Sequence, residues 1–222
     1  MTQEHLVLKD TIQFVLEQLN KSGVASFPPI EELLDPLSTY WQLLQRWNAK
    51  IKLTGAKTCE DYAQRHVADS FFGWWGLHDR PAGQSYLDIG AGAGFPSIPL
   101  ALLRSDLSWT LVESHSRRAA FLQQVKRHLK LDWLQTKATR ITGHPARERL
   151  EPPYHGIVFR AVAPEQILPI AHHYLAPNGT VIYWGTPDFQ PPALETMRLM
   201  DTLPYKLPGG EEFQLFRFQT VD

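Results

Sequence analysis

Five residues no larger than alanine follow a short apolar stretch in the middle of the chain. The segment YLDIGAGAGFPS places Gly90, Gly92 and Gly94 at alternate positions, after the acidic residue Asp88. Small residues cost backbone entropy, so such runs occur where another group approaches the main chain closely. A second acid, Glu113, follows 21 residues after Gly92, a spacing at which nucleotide-binding folds place a ribose ligand. The pattern predicts a site for a nucleotide-containing cofactor.

Three kinds of nucleotide site compete for this motif. A P-loop requires a lysine after its last glycine, and GFPS has none. A dinucleotide loop requires a third small residue where Phe95 stands, and a large ring there prevents close packing of the helix. S-adenosylmethionine has no phosphate, and a small-residue loop between two acids suits its adenosine and methionine parts best. We therefore expect S-adenosylmethionine at this loop, with a turn that uses glycine only for its geometry as the alternative.

A sheet must position these residues, and the sequence from Tyr86 onward predicts one. Short apolar segments alternate with helical ones, as in a mostly parallel, doubly wound sheet. We predict strands at SYLDIG, WTLVES, HGIVFRAVA and TVIYW, and helices from near Pro96, through RRAAFLQQVKRHLK, and over 164–175. The segments YKL, PGG and EFQLFRF predict a terminal hairpin that adds an antiparallel edge strand. Ligands of such folds bind at the carboxyl ends of the strands, where the glycine loop lies.

The first third of the chain has helical periodicity instead. Apolar residues recur at helical spacing over 8–19 and 37–47, with Asp35 as the candidate cap of the second helix, and a third helix is predicted over 59–77. We expect a helical extension, residues 1–80, packed on a Rossmann-like α/β core, residues 81–222, in one compact unit.

Composition and charge exclude several classes of protein. The chain of 222 residues has a net charge of −1, but residues 37–140 carry 14 basic against 8 acidic side chains, which suits an anionic partner. The single cysteine, Cys59, excludes an internal disulfide and a thiolate metal cluster, and we expect no metal site. The first residues do not resemble a signal peptide, and no apolar stretch approaches about 18 residues. We expect a cytoplasmic monomer that does not enter a membrane.

Five segments in order along the chain resemble one protein family. They are WNAKIKLTG (47–55), RHVADS (65–70), LDIGAGAGFPSIPLA (87–101), ESHSRRAAFL (113–122) and FRAVA (159–163). Together they resemble the glucose-inhibited division protein B family, bacterial methyltransferases that modify guanine N7 in small-subunit ribosomal RNA. The resemblance implies a class I methyltransferase fold, S-adenosylmethionine as the cofactor, and small-subunit ribosomal RNA or the small ribosomal subunit as the partner.

The resemblance also implies individual cofactor contacts. They fall on Gly90 and Phe95 in the loop, on Ile141 and Thr142 after the third strand of the family fold, and on Arg160 in RAVA. The family usually has an acidic residue where Thr142 stands, so one ligand hydrogen bond is either missing or made by the hydroxyl. For Arg160, a buried ion pair is the alternative to a role in the site.

A second set of residues matches family positions near the mouth of the cofactor site. Arg65 and His66 match an Arg–His pair, and Asp69 and Ser70 match an Asp–Ser pair. We treat Arg65 and His66 as candidates for positioning the substrate. The alternative for His66 is a helix residue packed on the sheet.

The half of the chain that would bind RNA departs from the family pattern. Trp184 stands where the family has a lysine before glycine, and of the basic positions in the terminal strand only Arg217 remains. The candidates for RNA contacts are Lys50, Lys52, Arg65, Arg117 and Arg118. A solvated helix face is the alternative for the basic run around Arg117.

The expected chemistry makes few demands on the protein. Guanine N7 carries a free lone pair at neutral pH, so no base has to remove a proton, and alignment of the reacting atoms is the main task. We therefore assign no catalytic acid or base. Two other functions remain open: a related methyltransferase that acts on a different RNA or a small molecule, and a non-catalytic RNA- or ribosome-binding module that keeps the fold.

Overall fold

The computed structural model describes residues 2–24 and 27–221 and contains a seven-stranded sheet. The strands are β1 (Ser85–Ile89), β2 (Ser108–Val112), β3 (Leu134–Lys137), β4 (Tyr154–Arg160), β5 (Leu175–Gly185), β6 (Met197–Lys206) and β7 (Glu212–Thr220). Their order is β3-β2-β1-β4-β5-β7-β6. The first five strands are parallel, and β7 and β6 are antiparallel to their neighbours. The doubly wound sheet and the terminal hairpin predicted from the sequence are confirmed.

The direction of winding reverses between β1 and β4. The chain proceeds outward from β1 through β2 to β3, and then crosses back to β4 on the other side of β1. Connections that diverge at such a point leave a crevice at the carboxyl ends of the two central strands. The glycine loop follows β1 and Arg160 ends β4, so both border this crevice.

Helices cover both faces of the sheet. The α-helices are α1 (Gln3–Lys21), α2 (Glu31–Asn48), α3 (Cys59–Tyr62), α4 (Ala68–Phe72), α5 (Ser97–Leu103), α6 (Ser116–Leu129) and α7 (Pro164–Ile167). Buried side chains of α1, α2, α5 and α6 form one hydrophobic cluster with β2 and part of β1. A second cluster lies on the opposite face, between β4, β7 and the turn of 3₁₀ helix Leu168–His173. Because the N-terminal helices share their cluster with the sheet, they help to build its core.

The second helix begins earlier than the sequence predicted. It starts at Glu31, with Ile30 in the N-cap position and Pro36 inside the helix. The assignment of Asp35 as the cap is therefore wrong, and its carboxylate instead lies 3.2 Å from the ring of His5. Pro36 is the sixth residue of this helix, so its missing N–H removes one bond of the helical ladder, the one to the Glu32 carbonyl oxygen.

The third predicted helix is present, but its hydrogen-bonding pattern changes along its length. It begins at α3 with Thr58 and Asp61 in a capping box, continues as a π-helical turn, Ala63–Val67, and passes through α4 into 3₁₀ helix at Gly73–Gly76. A π-helical turn inserts an extra residue and rotates side chains relative to a regular helix, and such turns are frequent at functional sites. Arg65 and His66 lie within it.

One strand escaped the prediction from residue pattern. The segment LQTK forms β3 at the sheet edge, where only Leu134 is buried, so it lacks the apolar run of the central strands. No helix in the part of the chain described here is long and apolar enough to cross a membrane.

Candidate active site

The glycine loop joins β1 to α5 and leaves its main chain open on one side. Gly90, Gly92 and Gly94 have positive φ angles of 77°, 57° and 96°, a region that favours glycine. A methyl group at Gly90 would lie 2.5 Å from Val162 Cγ2, and one at Gly94 would lie 2.8 Å from the Tyr40 hydroxyl. At Gly92 the same position is open, with the Gly90 carbonyl oxygen at 3.8 Å. Internal packing thus explains two glycines, while Gly92 leaves room for a ligand.

Glu113 follows β2 and ties its end to the glycine loop. Its Oε2 accepts a hydrogen bond from the Gly92 N–H at 2.9 Å, and its Oε1 accepts one from the His115 N–H at 2.7 Å. Burial raises the pKa of this carboxyl, but hydrogen bonds from His115 and Gly92 outweigh burial and place the pKa below its ordinary value. The carboxylate therefore stays ionised and fixes the loop, and its contact with a ribose stays a prediction.

Asp88 is fully buried in β1, and its carboxylate is unpaired. Neither oxygen has a hydrogen-bond partner, and the hydroxyl of Ser97, at the start of α5, is unpaired as well. Burial raises the pKa of Asp88 to about 7; the nearby Ser97 hydroxyl opposes that rise without reaching hydrogen-bond geometry. A buried acid of this kind is costly unless it is neutral or compensated, so it favours a cationic group at the loop.

Three side chains stack where the loop meets the π-helical turn. The ring of His66 lies 4.7 Å from the ring of Phe95 at an interplanar angle of 17°. The guanidinium of Arg160 lies 5.6 Å from the centroid of the same ring. Cations over an aromatic face are attracted by the ring's quadrupole. Phe95, too large for a dinucleotide loop, thus supports two of the residues predicted to form the site.

The hydrogen bonds of His66 determine its tautomer. Arg160 Nη2 lies 3.2 Å from His66 Nδ1, and a guanidinium can only donate, so Nδ1 accepts. Nε2 therefore carries the proton and donates to Thr54 Oγ1 at 2.6 Å. Burial, followed by the positive charges of Arg160 and Arg65, lowers the pKa of His66 to about 3. The imidazole is neutral at physiological pH and serves as a fixed hydrogen-bonding group.

Asp69 joins the site to the terminal hairpin. Its Oδ2 accepts a hydrogen bond from Arg160, its Oδ1 accepts one from the Tyr205 hydroxyl, and its carbonyl oxygen accepts one from Trp184 Nε1 at 2.8 Å. The Asp69 side chain is only 8% exposed. Arg160 therefore forms the buried ion pair considered as the alternative to a site role, and it also faces a cavity. Trp184, the departure from the family's lysine, holds the helix that carries Asp69.

A cavity of about 420 Å³ opens at the carboxyl ends of β4 and β5. Its lining includes Arg65, His66, Arg160, Tyr183, Trp184 and Phe213. Ala161, also in the lining, has a φ of 57°, which is unusual for a residue with a side chain. At the rim, Arg65 Nη2 lies 3.0 Å from Glu211 Oε1, and the Arg65 side chain is 61% exposed. Aromatic walls with a few fixed polar groups suit a planar polar ligand.

The loop around Thr142 is held by a residue that the sequence did not reveal. Glu148 Oε1 accepts hydrogen bonds from the Thr142 N–H at 2.6 Å and from the Thr142 hydroxyl at 2.8 Å, while Tyr174 donates to Oε2 at 2.7 Å. Thr142 thus directs both donors into the protein. The predicted cofactor contacts at Ile141 and Thr142 stay predictions, and at Thr142 a ligand would meet acceptor lone pairs, since both donors are used.

The basic residues predicted to contact RNA occupy four places. Arg65 lies at the cavity, and Lys50 and Arg117 line a groove between α2 and α6. Arg118 lies close enough to Glu113 to favour its ionised form, and Lys52 is exposed in the loop after α2. Arg217, in the terminal strand, pairs with Asp201 and lies over the ring of Trp75, away from the cavity lining. Within the described ranges, no three His, Cys, Asp or Glu side chains come together to hold a metal ion.

One family model, GidB, described as rRNA small subunit methyltransferase G, matches residues 34–187. The chain belongs to this family. The match covers the glycine loop, the π-helical turn and the end of β4, and it excludes the terminal hairpin. The family resemblance seen in the sequence is thereby confirmed.

Curated relatives carry the name Ribosomal RNA small subunit methyltransferase G. The protein from Klebsiella pneumoniae is 35% identical over 144 residues, which cover 64% of this chain and 66% of that protein. The protein from Serratia proteamaculans is 29% identical over 211 residues, which cover 95% of this chain and 94% of that protein. In its alignment with the Klebsiella pneumoniae protein, the chain thus spans slightly less than two thirds of that protein's length.

Solved structures agree with the fold at low sequence identity. The O-methyltransferase from Bacillus cereus in complex with SAH has a TM-score of 0.55 and 15% identity, covering 83% of this chain and 91% of that one. TYW2 from P. horikoshii in complex with MeSAdo has a TM-score of 0.52 and 13% identity, covering 78% and 66%. The architecture is therefore the Rossmann-like methyltransferase fold.

Proposed function

We propose that the protein transfers a methyl group from S-adenosylmethionine to N7 of a guanine in small-subunit ribosomal RNA. The observation that carries the proposal is the pairing of two features across the crevice between β1 and β4. On one side lies a glycine loop with an open main chain and a buried, unpaired acid. On the other side lies a cavity walled by aromatic rings, a neutral histidine and an arginine. Such a substrate would place the protein in the cytoplasm.

The residues at the loop fit the cofactor. Gly92 lets a ligand approach the main chain, Asp88 offers negative charge to the ammonium group of the methionine part, and Glu113 offers carboxylate lone pairs to a ribose. Gly90 and Gly94 keep the loop in shape, and Phe95 closes its far side. When bound, the cofactor supplies a methyl group on a positively charged sulfur, already activated for transfer.

The cavity at β4 and β5 would bind the guanine. Tyr183, Trp184 and Phe213 give it aromatic walls, and rings of this kind stack on nucleobases. Arg160 is fixed by Asp69 and His66, so it can present donors to the guanine O6 edge at little entropic cost. His66 is a neutral positioning residue because its low pKa excludes a role as a proton donor near pH 7.

The absence of a proton-transfer pair among these residues is consistent with the reaction. Guanine N7 attacks with its own lone pair, so the protein's tasks are to align the base, exclude water and tolerate the positive charge of the methylated ring. Asp69 and Glu211 border the cavity and offset the charges of Arg160 and Arg65. We propose that Lys50, Lys52, Arg65, Arg117 and Arg118 contact the phosphates of the RNA strand.

Mass spectrometry of ribosomal RNA from a deletion strain of the source organism tests the proposal. One guanine in the small-subunit RNA should lose its N7 methyl group, and the wild-type gene should restore it. A gene encoding Gly92→Val, which fills the open side of the loop, should fail to restore it although the protein accumulates. Unchanged N7 methylation in the deletion strain would reject the assignment. Incubation of purified protein with labelled cofactor and either intact small subunits or deproteinised RNA would show which is the substrate.

A further inference from the structure

A groove between α2 and α6 has the composition of a nucleotide-binding surface. Its volume is about 510 Å³, within the range of small-molecule sites of about 300–1,000 Å³. Leu43, Trp47 and Ile51 form an apolar floor. The cationic residues Arg46, Lys50 and Arg117, with His128, stand at its rim and are all exposed. The groove shares no lining residue with the cavity at β4 and β5.

The rim charges are not used inside the protein. Among the described residues, no carboxylate lies within 4.0 Å of the charged atoms of Arg46, Lys50 or Arg117. The sequence of α6 contains no acidic residue to neutralise them. His128 Nδ1 lies 2.8 Å from the Gln124 carbonyl oxygen and so donates to it. Unpaired cations converging on one groove favour an anionic occupant.

The floor favours a flat aromatic group in addition to charge. Trp47 is only half-buried, and the edge-on ring of Phe121 supports it at a centroid distance of 5.7 Å. A half-exposed, supported indole offers a face for stacking, while the Gln124 side chain offers an amide to a base edge. The rim thus suits a phosphate and the floor suits a base, and a nucleotide contains both groups.

The groove is also linked to the glycine loop through packed aromatic side chains. Phe121 stacks on Tyr40 at 6.4 Å, and the Tyr40 hydroxyl donates to the Ala93 carbonyl oxygen within the loop. Helix α6 begins three residues after Glu113. The start of α6 thus lies next to Glu113, and the helix leads from there to the groove.

We infer that this groove binds a nucleotide of single-stranded RNA that flanks the methylated guanine, with its base over Trp47 and its phosphate between Lys50 and Arg117. The inference rests on the proposed function for the identity of the target guanine. It extends that function by giving the enzyme a second position that binds a base, outside the cavity at β4 and β5. This second position would select an unpaired segment of RNA.

Binding of short single-stranded RNA to the full-length protein tests the inference. The variant Lys50→Gln/Arg117→Gln should weaken binding at least about tenfold and should lower the slope of log affinity against log salt by about 0.7, the value for one phosphate contact on a single strand. The matched control Arg147→Gln/Arg198→Gln removes two exposed arginines outside the groove and should leave affinity and slope nearly unchanged. Equal effects of the two pairs would overturn the inference.

A second variant tests the base-binding floor. Trp47→Leu keeps the floor apolar but removes the ring, so it should weaken binding of ordinary RNA about tenfold while changing the affinity for abasic RNA little. If wild-type protein binds abasic RNA or polyglutamate as tightly as RNA, the groove recognises charge alone and the inference fails. Calorimetry with the cofactor should give the same affinity in all these variants. If the proposed function is wrong, wild-type protein should instead bind RNA without methylating it.

Discussion

The buried carboxyl of Asp88 should make this protein less stable as the pH rises, and Asp88→Asn should remove that effect. Burial raises the pKa of Asp88 from 3.8 to about 7 in the folded protein. Between these values the unfolded chain releases the proton while the folded chain keeps it, so stability falls with increasing pH through this window. Above pH 7 both states are ionised and the penalty is constant.

The size of the effect follows from the shift in pKa. Each pKa unit corresponds to 1.36 kcal/mol, so Asp88 should reduce the free energy of unfolding by about 4 kcal/mol in total, of which about 3 kcal/mol develops between pH 5 and pH 8. Asparagine keeps the shape and cannot ionise. The free energy of unfolding of Asp88→Asn, relative to wild type, should therefore rise by about 3 kcal/mol between these two pH values.

Urea denaturation at pH 5, 6, 7 and 8 measures this difference directly. Asp132→Asn is a suitable control because Asp132 is exposed, and its curve should run parallel to wild type. A difference between Asp88→Asn and wild type that does not change with pH would refute the reasoning, since it would mean that the buried carboxyl is compensated inside the protein.

The same substitution should have the opposite effect on cofactor binding. If Asp88 faces the ammonium group of S-adenosylmethionine, ionised Asp88 strengthens binding, so wild-type affinity should increase as the pH rises through about 7. Asp88→Asn should bind at least about tenfold more weakly at pH 8 and should lose this pH dependence. Calorimetry at pH 6 and pH 8 checks both points. A variant that is more stable and binds equally well would separate Asp88 from the cofactor.

Two further predictions concern the residues that hold the glycine loop and the cavity at β4 and β5. Tyr40→Phe removes the donor to the Ala93 carbonyl and leaves that carbonyl buried without a partner. The free energy of unfolding in urea should therefore fall by about 1–3 kcal/mol, and calorimetry should show weaker cofactor binding. Unchanged values in both measurements would contradict a role for Tyr40 in shaping the glycine loop. Because the pKa of His66 is lowered to about 3, its imidazole signals in NMR spectra should stay constant from pH 5 to pH 8. A midpoint for His66 near 6.5 would show that its ring is accessible and not fixed by Arg160.

The strand, glycine loop and helix around residues 85–103 could be predicted from the sequence because their signal is local. Alternating glycines between a strand and a helix, with an acid on each side, have few other uses. The reasons for the individual glycines, however, depend on distant residues. Gly90 must be small because Val162 lies against it, and Gly94 because Tyr40 and Ile98 do. At Gly92 the space beside the main chain is open, and the approach of a ligand there stays a prediction.

Residues missed at the sequence level are mainly polar groups that act across the fold. Tyr40 and Tyr205 lie within apolar patterns and are consistent with simple core residues, yet both hydroxyls bond to site residues. A tyrosine inside an apolar stripe is a usable signal, because its buried hydroxyl needs a partner. Glu148 offered no comparable signal in an irregular segment. The edge strand β3 was missed because it is too polar to form an apolar run.

After residue 180 this chain lacks the basic positions that the family resemblance implies, and its contacts show what stands in their place. Trp184 replaces a cation but bonds to the Asp69 carbonyl and packs into the space left by Gly73, so it now fixes the helix that orients Arg160. Arg217 is neutralised by Asp201, and the hairpin lines the cavity with Leu207, Phe213 and the acidic Glu211, so it adds no positive charge there. Positive charge free to meet phosphate is concentrated on α6 and the end of α2. If RNA is the substrate, this arrangement separates two tasks: the β4–β5 cavity aligns the base through aromatic walls and one fixed arginine, and the α2–α6 side supplies the electrostatic attraction. Removing charge at Lys50 and Arg117 should then affect RNA capture, whereas changes at Arg160 should affect the transfer step.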